Sequence, residues 1–368
     1  MNKELIIRSN SDSVDFALLK DGKLIELHRE TEDKSKFNVG DIFIAKIRKP
    51  VAGLNAAFVN VGFEKDAFLH YHDLGPNLSS LLKFIKLVSA GKLKDYSLKN
   101  FAFEPEINKD GAIADVLSSN QSILVQVVKE PISTKGPRIS SELSLAGRYV
   151  VLVPFSDRIS ISQKIESKEE KDRLKRLVQS IRPKGFGVIV RTVAEGRKVA
   201  EIDKDLSNLV EKWNGMCKRI PSAHHPSKVL GEVNKASSIL RDVFNDTFTG
   251  IYVDDEDMFF QTKDYLQEIA PQKANIVKLY QNRDLPLFEK YNIERQIKTS
   301  FGKTVSMSKG AYLIIEHTEA LHVIDVNSGN RSNKAQSQED TALEVNMIAA
   351  AEIARQLRLR DMGGIIVI

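Results

Sequence analysis

Residues 320–329 read ALHVIDVNSG, residues 339–360 carry apolar side chains at helical spacing, and residues 363–368 read GGIIVI. No other stretch constrains the fold of the chain as much. The β-branched run leading to Asp325 predicts a buried strand with a carboxylate at its end. Leu343, Met347, Ala350, Ala354 and Leu357 recur at three- and four-residue steps, which predicts a long helix with these side chains on its buried face. Gly363 and Gly364 stop that helix, and the apolar run after them predicts another strand. Strand, helix and strand in this order build a sheet whose neighbouring strands end side by side, where an α/β protein carries reacting groups. Asp325 in that place is half of a site for a hard cation such as Mg2+, which takes one or two carboxylates plus phosphate oxygens. A loop-capping acid is the plainer reading of the same residue.

At 368 residues the chain is long for one domain, and two to four are expected. Its hydrophobic fraction, 42%, supports real cores, yet no apolar run approaches the ~18 residues of a membrane span. The start, MNKELIIRSN, lacks the basic-then-apolar pattern of a secretory signal. A single cysteine, Cys217, excludes an internal disulfide and a multi-cysteine zinc site within these residues. Together these features predict a cytoplasmic protein with no membrane partner. A net charge of +5 suits a polyanionic partner but also suits enzymes that never touch nucleic acid.

The first thirty residues predict three antiparallel strands, ELIIR, VDFALLK and KLIELH, with Asp21-Gly22 as a hairpin turn. Such strands need a covering layer, and the nearest candidates are the alternating helices and strands between about residues 235 and 300, so an insertion separates the two parts. The insertion starts at Phe37, where short strands are separated by turns containing Gly40, Gly53 and Gly62, without helical periodicity. That pattern predicts a small barrel. The stretch through Ala67-Phe68-Leu69-His70 and Asp73-Leu74 resembles an S1 domain, and that resemblance implies that Phe58 and Phe68, with His70 beside them, are platforms for stacked bases; the alternative is that the rings fill the barrel. Leu78, Leu81, Leu82, Ile85 and Val88 then share a helix face that ends near Gly91, and the barrel pattern resumes at ILVQVV, residues 123–128. Lys135, Gly136 and Arg138 lie on the polar connector that follows.

Residues 146–154 (AGRYVVLVP) open a third unit, with a Ser167-x-x-Glu170 capping box before a charged helix. The strand FGVIVRT ends in Arg191-Thr192, where a guanidinium fork beside a hydroxyl can hold a terminal phosphate or form an ordinary surface pair. Trp213 and Cys217 fall on the apolar stripe of the next helix and read as core. Residues 286–300 read as one further helix.

The succession of this S1-like insert, the Arg-Thr strand, IDVNSG, EDTALEVN and ARQLRLRDMGGIIVI resembles the bacterial ribonuclease E/G family. The resemblance implies a multidomain α/β and β protein. Its parts would be an RNase H-like domain over 1–36 and 237–300, an S1 (OB-fold) barrel over 37–141 with a helical insertion near 75–114, a 5′-sensor domain over 142–236, and a DNase I-like α/β domain from 301 to 368. It implies an endoribonuclease that cuts single-stranded AU-rich RNA, prefers a 5′-monophosphate, uses Mg2+ and leaves 3′-hydroxyl and 5′-phosphate ends. Carried over by position, Phe58 and Phe68 would touch RNA, Gly147, Val151, Arg191 and Thr192 would sense the 5′-phosphate, and Asp325 would bind the metal with Asn327 orienting beside it. Gln163 and Lys164 stand where some relatives have two arginines. The family's second metal-binding aspartate comes directly after the run ending here at Ile368. The cysteine pair holding Zn2+ between subunits of a homo-oligomer comes later still. The catalytic domain is therefore expected to be incomplete in these residues, and the chain inactive in cleavage. The alternative is a non-catalytic S1-type RNA-binding module.

Overall fold

The computed structural model describes residues 2–31, 37–131, 135–231, 235–282, 284–329 and 338–368, so the expected junction at 36 lies outside the described residues. The chain divides into two compact units, Met1–Glu32 with Lys235–Ile368, and Asp33–Asn234. The first unit opens with an antiparallel meander of β1 (Lys3–Ser9), β2 (Ser13–Lys20) and β3 (Lys23–Thr31). Asp21 and Gly22 both have positive φ, 48° and 76°, as a tight hairpin turn requires.

In the second unit, β4 (Ile42–Val51), β5 (Ala56–Asn60), β6 (Ala67–His70), β7 (Ser122–Lys129) and β8 (Arg138–Ser140) close a barrel. The order is β4-β5-β6-β8-β7, and β7 returns to pair with β4, consistent with an S1/OB-like domain. Ala57, Val59, Ala67 and Leu69 alternate into its interior and are completely buried. Between β6 and β7 lie α1 (Leu78–Ser89), an irregular stretch and the single turn α2 (Ile113–Val116).

The chain continues through β9 (Leu145–Ala146), β10 (Val150–Pro154), β11 (Ile159–Ile161), α3 (Lys168–Ile181), β12 (Phe186–Val190) and α4 (Val199–Arg219). The four strands form a sheet in the order β11-β12-β10-β9. Leu81, Phe84, Ile85 and Val88 of α1 belong to the same core as Val150, Leu206 and Trp213, which is why barrel and sheet make one unit. Trp213 Nε1 also donates to the Tyr96 carbonyl at 2.8 Å. Finally β13 (Ser227–Leu230) returns to pair with β4 of the barrel. Half of the expected capping box forms: Ser167 accepts from the Glu170 amide, but the Glu170 carboxylate pairs with Arg173 instead of reaching back.

The first unit resumes with α5 (Lys235–Val243), β14 (Phe248–Val253), α6 (Glu256–Ile269) and β15 (Val277–Leu279). Both strands run parallel to β1, giving a sheet ordered β15-β14-β1-β2-β3. Leu5, Ile7, Phe16 and Leu18 pack on Leu240, Phe244 and Leu266, so the later segment supplies the layer the N-terminal strands need. Ile6, Ala17 and Leu19 on the opposite face meet Leu287, Phe288, Ile293 and Leu359. The helix expected over 286–300 is two, α7 (Leu287–Lys290) and α8 (Ile293–Ser300), because Asn292 adopts the left-handed conformation between them.

The last sheet joins β16 (Thr304–Ser306), β17 (Tyr312–His317), β18 (Leu321–Asn327) and β19 (Ile365–Val367), with α9 (Gln338–Leu359) crossing between the parallel pair β18 and β19. The buried face of α9 differs from the expected one. Val345, Ala349, Ile353 and Leu359 are buried, whereas Leu343 and Met347 are 64% and 68% exposed. Ala350 and Ala354 are exposed as well, and only Leu357 of the expected set packs on this core. Helical periodicity fits both apolar stripes, and the sheet selects the one whose small Ala349 lets the helix sit close to Leu313, Ile315 and Ile324. Among the described residues no helix is long and apolar enough to cross a membrane.

Candidate functional site

On the barrel, alternation decides where the aromatic rings point. Because Ala57, Val59, Ala67 and Leu69 face inward, Phe58 and Phe68 face outward as directly opposed partners on β5 and β6. Their ring centroids are 6.0 Å apart, and the His70 ring lies 6.3 Å beyond Phe68. The two phenylalanines line a surface cavity of about 510 Å3 with Lys65, Asp66, Lys135, Gly136 and Arg138. Gly136 permits this arrangement, since a Cβ there would stand 2.3 Å from the Asp66 carbonyl oxygen. Arg138 is tied by two hydrogen bonds to Asp73, and Arg48 pairs with Asp66. Lys65 and Lys135 are exposed and, among the described residues, form no ion pair. Two rings flanked by uncommitted ammonium groups can stack bases and meet phosphates. Lys65 is absent from the sequence reading because its nearness to Lys135 comes from the non-local pairing of β6 with β8.

The second cluster gathers the residues around Arg191. Arg191 Nη1 donates to the Gly147 carbonyl at 2.8 Å, and the Arg191 amide donates to the Tyr149 carbonyl at 2.8 Å. Val151 lies opposite Ile189 in the pairing of β10 with β12, which brings it alongside. Thr192 begins a short 3-10 turn, and its hydroxyl is 2.7 Å from that of Ser162. Ser162 is a functional candidate that sequence reasoning missed; it directly precedes Gln163-Lys164 on a loop with no periodic signal. A guanidinium and two hydroxyls, all partly exposed, are suited to bind a terminal phosphate.

Asp325 and Asn327 share one face of β18, and Asn327 Nδ2 donates to Asp325 Oδ2 at 2.9 Å. The face opposite α9 carries Tyr312, Ile314, Val323, Asp325, Asn327, Ile365 and Val367, none of them buried. Gly329 just beyond has φ +67°, and a Cβ there would meet the Gly310 carbonyl oxygen at 2.1 Å, so the turn after the strand requires glycine. Among the described residues Asp325 has no cationic partner, and no cluster of three or more His, Cys, Asp or Glu side chains exists to cage a metal. One exposed carboxylate does fit an ion of the Mg2+ kind, which keeps several waters and takes other ligands from substrate phosphate. Cys217 is buried in the core, where desolvation raises its thiol well above the usual range, and it is no nucleophile.

Comparison with known proteins gives a consistent result. A model of the ribonuclease E/G family matches residues 144–368. Ribonuclease G of Haemophilus influenzae is 33% identical over 365 residues, covering 99% of this chain and 70% of that protein. Ribonuclease G of Escherichia coli K12 is 31% identical over 368 residues, covering 100% of this chain and 71% of its own length. Ribonuclease E of Nostoc sp. is 36% identical over 333 residues, 90% of this chain and 44% of the relative.

Proposed function

The chain belongs to the ribonuclease E/G family, and from that premise we propose that it is an endoribonuclease of single-stranded, AU-rich RNA that favours 5′-monophosphorylated ends and uses Mg2+. The observation that carries the catalytic part is Asp325: exposed, without a cationic partner and oriented by Asn327. Asp325 would hold the ion and Asn327 would fix the carboxylate; an amide donates but is no base. When bound, Mg2+ supplies Lewis acidity toward the phosphodiester and makes a water nucleophilic near neutral pH. Phe58, Phe68, Lys65 and Lys135 bind the strand by stacking and charge, and Arg191, Thr192 and Ser162 hold its 5′-phosphate. Hydrolysis leaves a 3′-hydroxyl and a 5′-phosphate.

The order β15-β14-β1-β2-β3 supports an RNase H-like reading of the first sheet, and the sheet bearing Asp325 supports a DNase I-like one. Val323 pairs with Val367 in parallel register, so β19 runs alongside the strand that carries Asp325. The test is cleavage of a 5′-monophosphorylated AU-rich oligonucleotide with Mg2+ by the protein and by its Asp325→Asn variant. Binding by both with cleavage only by the first supports the proposal. Binding without cleavage by either leaves an RNA-binding module.

A further inference from the structure

We infer that Asp205 is a positioning residue for 5′-phosphate recognition: its carboxylate fixes the loop against which Arg191 is held. This rests on the reading of Arg191 and Thr192 as the phosphate-holding pair. Asp205 Oδ1 accepts from the Arg148 amide at 3.1 Å, and Oδ2 accepts from the amides of Tyr149 at 2.7 Å and Val150 at 3.1 Å. Consecutive amides converging on one anion form a nest, a backbone geometry that binds anions. Here a carboxylate of the chain itself fills it, so these amides are not offered to RNA.

The loop's carbonyls complete the linkage. Those of Gly147 and Tyr149 accept from Arg191 Nη1 and from the Arg191 amide. Contact therefore runs from Asp205 through the amides of residues 148–150 to the Gly147 carbonyl, which holds the guanidinium, and the Tyr149 carbonyl, which holds the Arg191 amide. Gly147 is what lets the carboxylate approach, because a Cβ there would stand 2.6 Å from Asp205 Oδ2. Asp205 itself is anchored by its helix, whose Leu206, Leu209 and Trp213 are buried in the core. Without the carboxylate, three amides lose their acceptor and the loop loses its reason to stand where Arg191 needs it.

The experiment measures affinity of the 368-residue chain for one AU-rich oligonucleotide bearing either a 5′-monophosphate or a 5′-hydroxyl, by fluorescence anisotropy. The ratio of the two affinities is the readout, because a merely structural defect lowers both together. We expect Asp205→Ala to reduce the ratio about fivefold or more, as Arg191→Ala does, and Asp205→Asn, which keeps one acceptor oxygen, to restore part of it. If Asp205→Ala does not fold, Asp205→Asn alone is judged by a ratio lower than wild type. A wild-type preference that Arg191→Ala removes and the Asp205 variants keep would overturn the role of Asp205 alone. A wild type without preference would overturn the reading of Arg191 as well.

Discussion

Phe58 and Phe68 face each other across two antiparallel strands, their rings inclined at 66° on the outside of a closed barrel. A ring that fills a core cannot also stack a base, and alternation with Ala57 and Leu69 puts both rings outside. Truncating either to alanine should weaken single-stranded RNA binding by about 1–3 kcal/mol, with little change in unfolding temperature. Phe68→Tyr should bind nearly as well, since the stacking face is kept. Anisotropy titrations at one salt concentration check this, and unchanged affinity in both alanine variants would remove the rings from the interface.

Lys65 and Lys135 contribute differently, through charge rather than stacking. Each phosphate contact on a single strand adds about 0.7 to the slope of log affinity against log salt. The double variant Lys65→Ala, Lys135→Ala should flatten that slope by about 1.4, while Phe68→Ala leaves it alone. Arg138, committed to Asp73, should contribute less than either lysine. Binding measured across a salt series distinguishes the two kinds of contact, and an unaltered slope would place the RNA elsewhere.

The readability of these features in the sequence follows how local their cause is. Asp21-Gly22 and the inward alternation of Ala57, Val59, Ala67 and Leu69 are written in adjacent residues, so the meander and barrel are legible. The face of α9 is not, because Leu343, Met347 and Val345, Ala349 belong to two apolar stripes, and only the sheet decides between them. Ser162 and Asp205 show no pattern at all. Each becomes recognisable when a strand or helix folded elsewhere in the chain brings Thr192 or the 148–150 amides to it. Glu170 is a half case: its spacing from Ser167 is right, yet a nearby guanidinium outcompetes the distant amide for its carboxylate.

Phe84 tests whether the barrel and the sheet bearing Arg191 unfold together. It is fully buried, with Phe155, Trp213 and Phe101 rings 5.3, 5.6 and 5.7 Å away. Phe84→Ala should cost about 3–5 kcal/mol, the usual range for emptying an aromatic site in a core. Because α1 shares that core, fluorescence of the chain's one tryptophan should follow the same denaturant transition as a probe placed on the barrel. Two separated transitions in the wild type would mean that the shared core does not couple them.

Glu170 supplies a pH dependence. Its carboxylate takes two hydrogen bonds from Arg173, both 2.7 Å, and one from the Gly196 amide at 2.8 Å, tying the first turn of α3 to the loop after Thr192. The Arg173 hydrogen bonds, opposed by burial and helped by the Gly196 amide, lower its pKa from 4.5 to about 2. A carboxyl depressed in the folded state stabilises fully above its unfolded value, and the contribution fades as pH falls through the folded one. Glu170→Gln should therefore cost about 1 kcal/mol at pH 7, a figure kept low because the pair is partly exposed to solvent. The deficit should persist at pH 5, shrink through pH 3 as pH falls toward the folded value near 2, and be lost only below that, where the wild type is protonated too. Urea unfolding of both proteins across this range measures the difference. A deficit that stays constant with pH would show that the loss is one of packing and not of the charged clamp.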